Sequence, residues 1–247
     1  MTRSIFRGEP AIASFQSPNR SRDVTFSPTA ESAPFGQQEF NIRMANSEGR
    51  REAATMLLRK MYAWRGYAIE SQESHLPNLI TLTADTNGET VGTMTLCFDS
   101  EFGLPADETF HKELEFLRSQ SRLLCEPTRL AVDKDTPKRV LAAMWHISYI
   151  YCHKIHHYTD YIIEVNPRHA VFYKRMLGFE EFGAERQCMR VNAPAVLLRL
   201  ECQYIASQVK RCGGLFEKSA HERSFYPHCF STVDEIGIHD RLVTGRT

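Results

Sequence analysis

Two charged residues, Glu126 and Arg129, lie in the mostly apolar segment LLCEPTRLAVD, residues 123–133. A carboxylate that an apolar strand removes from water has a raised pKa, so Glu126 is a candidate for accepting a proton near neutral pH. A guanidinium can hold a carboxylate through two parallel hydrogen bonds, which makes Arg129 a candidate for binding an acidic ligand. The alternative for both residues is an ion pair that only stabilises the fold. Residues three apart on a strand face opposite ways, but Pro127 favours a bulge that would bring the two side chains together.

A second candidate group lies in EVNPRH, residues 164–169, between an apolar run and a Tyr-bearing segment. Pro167 keeps Asn166 extended, and Asn166 can then cap the helix that follows. His169 or Arg168 is expected to face the open ends of the strands, where ligands bind in α/β sheets. Because an unperturbed histidine titrates at about pH 6.5, His169 is a candidate second base, with a purely structural histidine as the alternative.

The elements that must position these residues alternate between strands and helices. Thr136 is the expected N-cap of a helix of about five turns behind Pro137, and Gly178 is the expected end of a later helix. Pro127 favours an edge position or a bulge for its strand. This order predicts an α/β (α+β) fold in which a mixed central sheet is flanked by helices. The patterns predict strands over 40–44, 123–133, 158–165 and 187–200, a hairpin over 79–98 that turns at Asn87-Gly88, and further helices over 47–66, 108–119, 170–177 and 201–211.

The composition favours a cytoplasmic chain with one principal domain. Of 247 residues, 42% are hydrophobic, and 30 Lys and Arg residues balance 30 Asp and Glu residues, so no overall charge favours nucleic acid or an anionic membrane. Seven cysteines without C-x-x-C spacing indicate reduced thiols, and no apolar run approaches the roughly 18 residues of a membrane span. We expect a disordered tail over 1–38, the principal domain over 39–211 and a C-terminal extension of unassigned structure over 212–247.

Several blocks of the sequence resemble known proteins. The segment from YIIEVNPRH to FYKRMLGF resembles the last strand–helix unit of the GCN5-related N-acetyltransferase fold, with Asn166, Phe172, Tyr173, Gly178 and Phe179 at the typical positions. More narrowly, six blocks in order resemble the bacterial FeeM-like family of long-chain N-acyl amino acid synthases, relatives of the acyl-homoserine-lactone synthases. The resemblance implies a GCN5-related N-acyltransferase fold, with the N-acyltransferase domain over residues 39–211. The six blocks are MYAWRGY (61–67), VGTMTL (91–96), CEPTRLAVD (125–133), TDYIIEVNPRH (159–169), FYKRMLGF (172–179) and APAVLL (193–198).

The resemblance also implies roles for individual residues. Glu126 and Arg129 match the E-x-x-R block of the related synthases, which makes Glu126 the expected base for the acceptor amine. Tyr173 matches the tyrosine that lies by the thioester sulfur and can donate a hydrogen bond to the departing thiolate, although a core tyrosine bonded to a backbone carbonyl is the alternative. Backbone N–H groups where the strands separate are expected to stabilise the oxyanion. The resemblance thus implies that Leu130 and Val132 bind the substrate around the oxyanion. Together with Asn166, Arg168 and His169 of the EVNPRH segment, they are the expected substrate-binding residues.

The expected donor follows from a loop that departs from ordinary acetyltransferases. Those enzymes bind the pyrophosphate of coenzyme A on a glycine-containing loop at a helix N-terminus, whereas this chain has DKDTPKRV, residues 133–140, without glycine. Lys134, Lys138 and Arg139 would suit the single phosphodiester of an acyl carrier protein, the donor that the resembling families use. The alternative is that these basic residues only complement acidic neighbours on a solvated turn.

We therefore expect an enzyme that moves a medium or long acyl chain from the phosphopantetheine thioester of acyl carrier protein to the amine of an amino acid or similar small molecule. No tightly bound cofactor is expected. A metal site is not expected at His153, His156 and His157, because cationic side chains at a helix end also suit the helix dipole. The alternatives are transfer from acyl-coenzyme A, and a catalytically silent module that binds acyl carrier protein or lipid.

Overall fold

The computed structural model describes residues 10–18, 37–63 and 78–244. The eight strands of these residues are β1 (Ala13–Pro18), β2 (Gln37–Met44), β3 (Leu79–Thr86), β4 (Glu89–Phe98), β5 (Leu124–Val132), β6 (Asp160–Val165), β7 (Glu180–Cys188) and β8 (Ala193–Glu201). The α-helices are α1 (Glu48–Ala63), α2 (Asp107–Ser119), α3 (Lys138–Tyr149), α4 (Pro167–Leu177), α5 (Cys202–Cys212) and α6 (Thr232–Thr244). A π-helical segment, Ile150–Ile155, continues α3, and two short 3-10 segments, Phe216–Ala220 and Tyr226–His228, precede α6.

All eight strands form one sheet in the order β1-β2-β3-β4-β5-β6-β8-β7. Only the β5–β6 pair is parallel, and the other pairs are antiparallel. The predicted mixed sheet with flanking helices is therefore confirmed. No helix among the described residues has both the length and the apolar character that crossing a bilayer requires.

Local signals in the sequence account for two of the sharpest boundaries. Asn87 and Gly88 adopt positive φ angles of 50° and 82°, which lets β3 turn directly into β4. The side chain of Asn166 accepts a hydrogen bond from the backbone N–H of Arg168 and caps α4, as predicted. Gly178 ends α4 with a φ of 86°, a left-handed conformation that glycine adopts without strain.

The strand β5 is the point where the sheet opens. It lies in the centre of the sheet, so an edge position is excluded, and the register with β4 shifts between Thr93 and Thr95 in the manner of the predicted bulge. Arg129, opposite this shift, has a φ of 49°. Pairing of β5 with β6 involves only Leu124 and Cys125. The two strands separate beyond this point, and a cleft opens between them.

Hydrophobic clusters cover both faces of the sheet, because neighbouring strand residues alternate between them. On one face, α2 packs through Phe110, Leu114 and Leu117. On the other face, α3, α4 and α5 pack in a larger cluster. The sheet residues on the α2 face include Cys97, Leu124, Ile162 and Leu197, and those on the opposite face include Leu96, Cys125, Tyr161 and Leu198.

A buried ion pair joins the start of α1 to the sheet. Arg50 is 1% exposed, and its Nη1 lies 2.7 Å from Oδ2 of Asp85 on β3, which is itself 3% exposed. The other oxygen of Asp85 accepts a hydrogen bond from Thr90 at 2.8 Å. A buried charge is tolerated only where such partners compensate it, so this pair fixes α1 against β3.

The prediction of a disordered tail over 1–38 was wrong for residues 13–18, which form β1, and for residues 37 and 38, which begin β2. Phe15 packs against Phe40 of β2 and against Phe230 of the C-terminal extension, with ring centroids 5.9 Å apart in both pairs. Arg241 on α6 donates a hydrogen bond to the carbonyl of Ile12 at 2.6 Å. The C-terminal extension thus holds the first strand in place, while residues 1–9 and 19–36 of the predicted tail lie outside the described residues.

The start of α3 differs from the prediction. Thr136 does not cap α3, because the helix begins at Lys138 with the extended Pro137 in the N-cap position and without a side-chain cap. The Thr136 hydroxyl instead donates to the carbonyl of Val91 at 3.5 Å. The predicted end of α1 near Gly66 lies outside the described residues.

Candidate active site

A cavity of about 560 Å³ lies in the cleft between β5 and β6. Five of the predicted site residues line this cavity: Arg129, Leu130, Asn166, His169 and Tyr173. Apolar residues from α1, β5, α3 and β6 complete one part of its wall: Leu58, Pro127, Trp145, Ile163 and Val165. Another part carries Glu108, Glu164, Cys188 and Arg190. The sequence therefore assembles a mixed apolar and charged pocket at the place where the sheet opens, which is typical of small-molecule sites.

Glu126 lies on the α2 face of β5, just before the cavity-lining residue Pro127. Its side chain is only 3% exposed, and its Oε2 accepts a hydrogen bond from the backbone N–H of Ala106 at 2.8 Å. Burial raises the pKa of Glu126 to about 7, opposed by the Ala106 N–H and the charge of Arg190, while Asp107 acts in the raising direction. A carboxyl group with this pKa exchanges its proton readily at neutral pH, as a general base must.

Arg129 and Glu126 have different neighbours, so the register shift in β5 does not pair their side chains. Glu126 contacts the loop before α2, whereas Arg129 belongs to the cavity wall together with Thr128 and Leu130. The left-handed backbone of Arg129 costs strain that a β-strand residue normally avoids, and such strain is concentrated at functional sites. Binding of an acidic ligand by Arg129 stays a prediction.

Tyr173 and the residues before it approach the cavity from α4. The ring of Tyr173 makes edge contacts with Trp145 and Phe179, with centroid distances of 6.4 and 6.0 Å. Arg168, which is exposed and outside the cavity wall, donates from Nε to Nε2 of His169 at 3.2 Å. The proposed roles of these residues in catalysis stay predictions.

The three predicted carrier-binding residues differ in their surroundings. Lys134 and Lys138 are exposed at the start of α3. Arg139 donates to the carbonyl of Gln16 at 2.7 Å, and its guanidinium lies over the rings of Phe15 and Phe216 at 4.8 and 4.6 Å. A phosphate bound at Arg139 would have to compete with these contacts. Val132, predicted near the oxyanion, is half-buried and outside the cavity wall.

Sequence reasoning missed the charged residues Glu108, Glu164 and Arg190. Arg190 lies in the turn between β7 and β8, and its guanidinium pairs with Glu108 at 3.2 Å and with Glu164. A partial signal exists for Glu164, because it is a charged residue inside the buried strand YIIEV. No local pattern marks Arg190 or Glu108, since their partners are distant in the sequence.

The histidines considered as a metal site have other contacts. His153 pairs through Nδ1 with the carbonyl of Tyr158 at 2.7 Å. The ring of His156 packs against Tyr151 and Phe98. Across residues 10–18, 37–63 and 78–244, no three His, Cys, Asp or Glu side chains are grouped closely enough to hold a metal ion.

Comparison with known proteins identifies the family of this chain. The model of the family "N-acyl amino acid synthase FeeM" matches residues 53–201, which is more than half of the sequence. The chain belongs to the FeeM family. None of the curated proteins matches its sequence.

Solved structures agree with membership of the FeeM family. The structure of FeeM, an N-acyl amino acid synthase from uncultured soil microbes, is 26% identical with a TM-score of 0.63, over 68% of this chain and 94% of that chain. The predicted GCN5-related fold is thereby confirmed, and the chain is an N-acyltransferase. The AHL synthase LasI and an N-acetyltransferase from Staphylococcus aureus Mu50 are each 11% identical, with TM-scores of 0.48 and 0.47, over 66% of this chain and 90% and 98% of theirs.

Proposed function

We propose that this FeeM-family enzyme transfers a medium or long acyl chain from the thioester of acyl carrier protein to the amine of an amino acid. The observation that carries the proposal is Glu126, a buried carboxylate whose pKa is about 7 and which lies beside a cavity at the opening of the sheet. An amine attacks a thioester only after losing its proton, and Glu126, although it does not itself line the cavity, is a base of suitable strength one position before the lining residue Pro127.

The proposed reaction proceeds through one tetrahedral intermediate. Glu126 accepts a proton from the acceptor ammonium, directly or through one water, and the free amine forms a C–N bond with the thioester carbonyl carbon. Backbone N–H groups from Leu130 to Val132 would stabilise the oxyanion. The C–S bond then breaks, and the thiolate leaves with a hydrogen bond from Tyr173. The positively charged nitrogen loses its second proton as the sulfur gains one, which yields the neutral amide and the free thiol of the carrier, and Glu126 releases its proton to solvent.

The proposed donor is supported by the loop before α3. Pro137 at the N-cap has no N–H to offer, and the loop has no glycine, so few backbone donors exist for a pyrophosphate. Lys134 and Lys138 remain exposed beside this helix start and can bind a single phosphodiester.

Acyl-coenzyme A is the competing donor. Purified enzyme supplied with one acyl chain on either donor should show a higher kcat/KM with acyl carrier protein; higher kcat/KM with acyl-coenzyme A would contradict the carrier proposal.

Mass spectrometry of lipid extracts from cells that express the protein tests the reaction as a whole. New N-acyl amino acids are expected with the unmodified chain and not with Glu126→Gln, and their masses identify the acyl chain and the acceptor together. Binding of acylated carrier protein by the purified chain without any turnover would support the silent module instead.

Arg129→Gln is expected to weaken binding of the acceptor. If Arg129 holds the acceptor carboxylate, loss of this charged bidentate contact raises KM for the amino acid by about 10-fold or more, with a smaller effect on kcat. Steady-state kinetics at saturating donor measures both quantities. An unchanged KM for the amino acid, with only the stability lowered, would assign Arg129 to the fold and not to the acceptor.

Tyr173→Phe is expected to reduce kcat by less than about 10-fold. A thiol with a pKa of about 8.5 is already a good leaving group, so a hydrogen bond from the phenol contributes little. The phenyl ring retains the contacts with Trp145 and Phe179, which keeps the helix in place. Single-turnover rates measure the effect, and a loss of 10³-fold or more would give Tyr173 an essential proton-transfer role.

A further inference from the structure

Trp145 of α3 lies between the cavity and a small void in the protein interior. The void has a volume of about 10 Å³, and Trp145 is the one described residue that lines both spaces. The residue is only 4% exposed, so nearly all of its surface is packed. The other residues around the void come from α3, α4, β8, α5 and the C-terminal extension: His146, Leu177, Leu200, Ile205, Tyr226 and Cys229.

The void suits an apolar group better than a water molecule. A space of this size holds at most about one water, which needs about two to four polar partners to be stable there. The polar side chains around the void already have partners. Nδ1 of His146 accepts a hydrogen bond from the N–H of Phe230 at 3.0 Å, and Nε2 lies 3.0 Å from Glu235. The void therefore offers its occupant mostly hydrophobic contacts.

Part of the wall of the void is built by the C-terminal extension, which follows the family match over residues 53–201. The hydroxyl of Tyr226 donates to the carbonyl of Leu177 at 2.6 Å. The N–H of Phe225 donates to the carbonyl of Met176 at 2.9 Å. These bonds to the end of α4 fix the extension against the domain, so the wall behind Trp145 has a defined position.

The indole of Trp145 is held by aromatic packing. It makes edge contacts with Tyr161, Tyr173 and Phe179, with centroid distances of 5.8, 6.4 and 5.8 Å. Within the part of the chain that the structure describes, its buried Nε1 has no hydrogen-bond partner. A smaller apolar side chain in place of Trp145 would consequently enlarge the space without breaking a polar network.

The apolar part of the cavity wall, to which Trp145 belongs, is the part that an acyl chain would contact. Glu108, Glu164 and Arg190 form the charged part. An acyl chain gains free energy by moving from water to apolar surroundings, whereas the charged groups of an amino acid do not. Tyr173, the proposed partner of the thioester sulfur, contacts Trp145. A chain that extends from this sulfur along the apolar wall therefore meets the indole.

We propose that Trp145 determines the length of the acyl chain that this enzyme accepts. The indole closes the apolar part of the cavity and excludes the chain from the void. The inference rests on the proposed acyl transfer and narrows its donor to medium acyl chains. A smaller side chain in place of Trp145 joins the void to the cavity and admits longer chains.

The chain-length profile of Trp145→Leu tests this inference. Both enzymes are supplied with octanoyl, dodecanoyl and hexadecanoyl groups on the preferred donor. The ratio of kcat/KM for hexadecanoyl to that for octanoyl should rise by about 10-fold or more in Trp145→Leu, since one methylene group in an apolar pocket changes this quantity by at least about 10-fold. The KM for the acceptor should stay unchanged. Calorimetric titration with octanoic and hexadecanoic acids should show the same shift in the ratio of Kd values without any turnover.

Cys229→Leu provides a complementary test, because Cys229 lines the void but not the cavity. A larger side chain there occupies the space that Trp145→Leu opens. The double variant Trp145→Leu/Cys229→Leu should therefore return the ratio toward the value of the unmodified enzyme. Tyr149→Leu is the matched control, because Tyr149 is a buried aromatic residue of the same helix, 1% exposed, that lines neither space. Its ratio should equal that of the unmodified enzyme.

The possible failures are distinguishable. An unchanged ratio in Trp145→Leu, an equal shift in Tyr149→Leu, or an altered preference for the acceptor in place of the donor would overturn the inference. If Trp145→Leu shifts the binding of fatty acids but the unmodified enzyme turns over no donor, the acyl pocket stands and the proposed function fails. Circular dichroism identifies variants that do not fold. Trp145→Phe, which retains a ring, then replaces Trp145→Leu and should give a smaller shift in the same direction.

Discussion

Glu126→Gln is expected to lower kcat by at least about 10²-fold while the variant still binds acylated donor. The amide has nearly the same shape as the carboxyl group and can still accept the hydrogen bond from the Ala106 N–H, but it cannot take a proton from the acceptor. Kinetics and a direct binding measurement on the same preparation separate the two effects. Glu115→Gln is the control, because Glu115 on α2 is 54% exposed and should tolerate the change.

The pH profile makes this expectation more specific. Because the pKa of Glu126 is about 7, activity of the unmodified enzyme should rise as pH increases through this value and the carboxylate forms. The residual activity of Glu126→Gln should lack this limb. A variant that retains the limb would show that another group titrates in the rate-limiting step.

The unfolding free energy of Glu126→Gln, relative to that of the unmodified chain, should increase as the pH rises. The folded-state pKa of Glu126 is about 7 and the usual value is 4.5, so the folded chain binds the proton more tightly than the unfolded chain does. Its contribution to stability is fully present below about pH 4.5 and is lost as the pH rises through 7. Relative to Glu126→Gln, the unmodified chain should lose on the order of 1–3 kcal/mol of unfolding free energy across this range. Urea unfolding of both chains at pH 5 and pH 8 measures the difference.

Asp85→Asn is expected to produce the largest loss of stability, about 3–5 kcal/mol. The substitution removes the Asp85 charge that lies 2.7 Å from Nη1 of Arg50, a guanidinium that is only 1% exposed. Unfolding free energies of globular proteins are commonly about 5–15 kcal/mol, so this loss is a large part of the total. Asp85 does not line the cavity, and the activity per folded molecule should therefore remain unchanged at low temperature.

Asp133→Asn provides the comparison for Asp85→Asn. Asp133 pairs with Lys60 at 3.0 Å, but the Lys60 side chain is 67% exposed, and exposed ion pairs contribute at most about 1 kcal/mol. Urea unfolding of the two variants at the same pH should rank Asp85→Asn as much the less stable. Equal losses of unfolding free energy in both variants would contradict the prediction, because the charge of the buried Asp85 would then contribute no more than that of an exposed ion pair.

Local patterns in the sequence predicted the parts of the fold that depend on neighbours in the chain. The Asn87-Gly88 turn, the Asn166 cap and the Gly178 helix end each follow from a conformational preference of one or two residues. The bulge in β5 was predicted from Pro127, and the burial of Glu126 from the apolar run around it. The start of α3 was misplaced because an extended Pro137 occupies the N-cap position, which the sequence assigned to Thr136.

Features that depend on distant residues were not predictable in this way. Phe15 reads as an isolated aromatic residue in a polar segment, and its partners Phe40 and Phe230 become visible only in the folded chain. Arg190 likewise has no local signal, because Glu108 and Glu164 belong to other elements. The sequence therefore located the candidate base and five of the residues that line the cavity, but not the ion pairs in its wall.

The contact between Arg241 and Ile12 has a consequence for the order of folding. These residues are separated by 229 positions, and the enclosure of β1 by α6 is completed only after α6 has been synthesised. Contacts with such long sequence separation form late, because closing a long loop costs entropy before any contact compensates it. During synthesis on the ribosome, the sheet would consequently keep its β1 edge unsecured until α6 emerges. Helix α6 thus determines when the nascent chain stops presenting an incompletely protected strand to its surroundings.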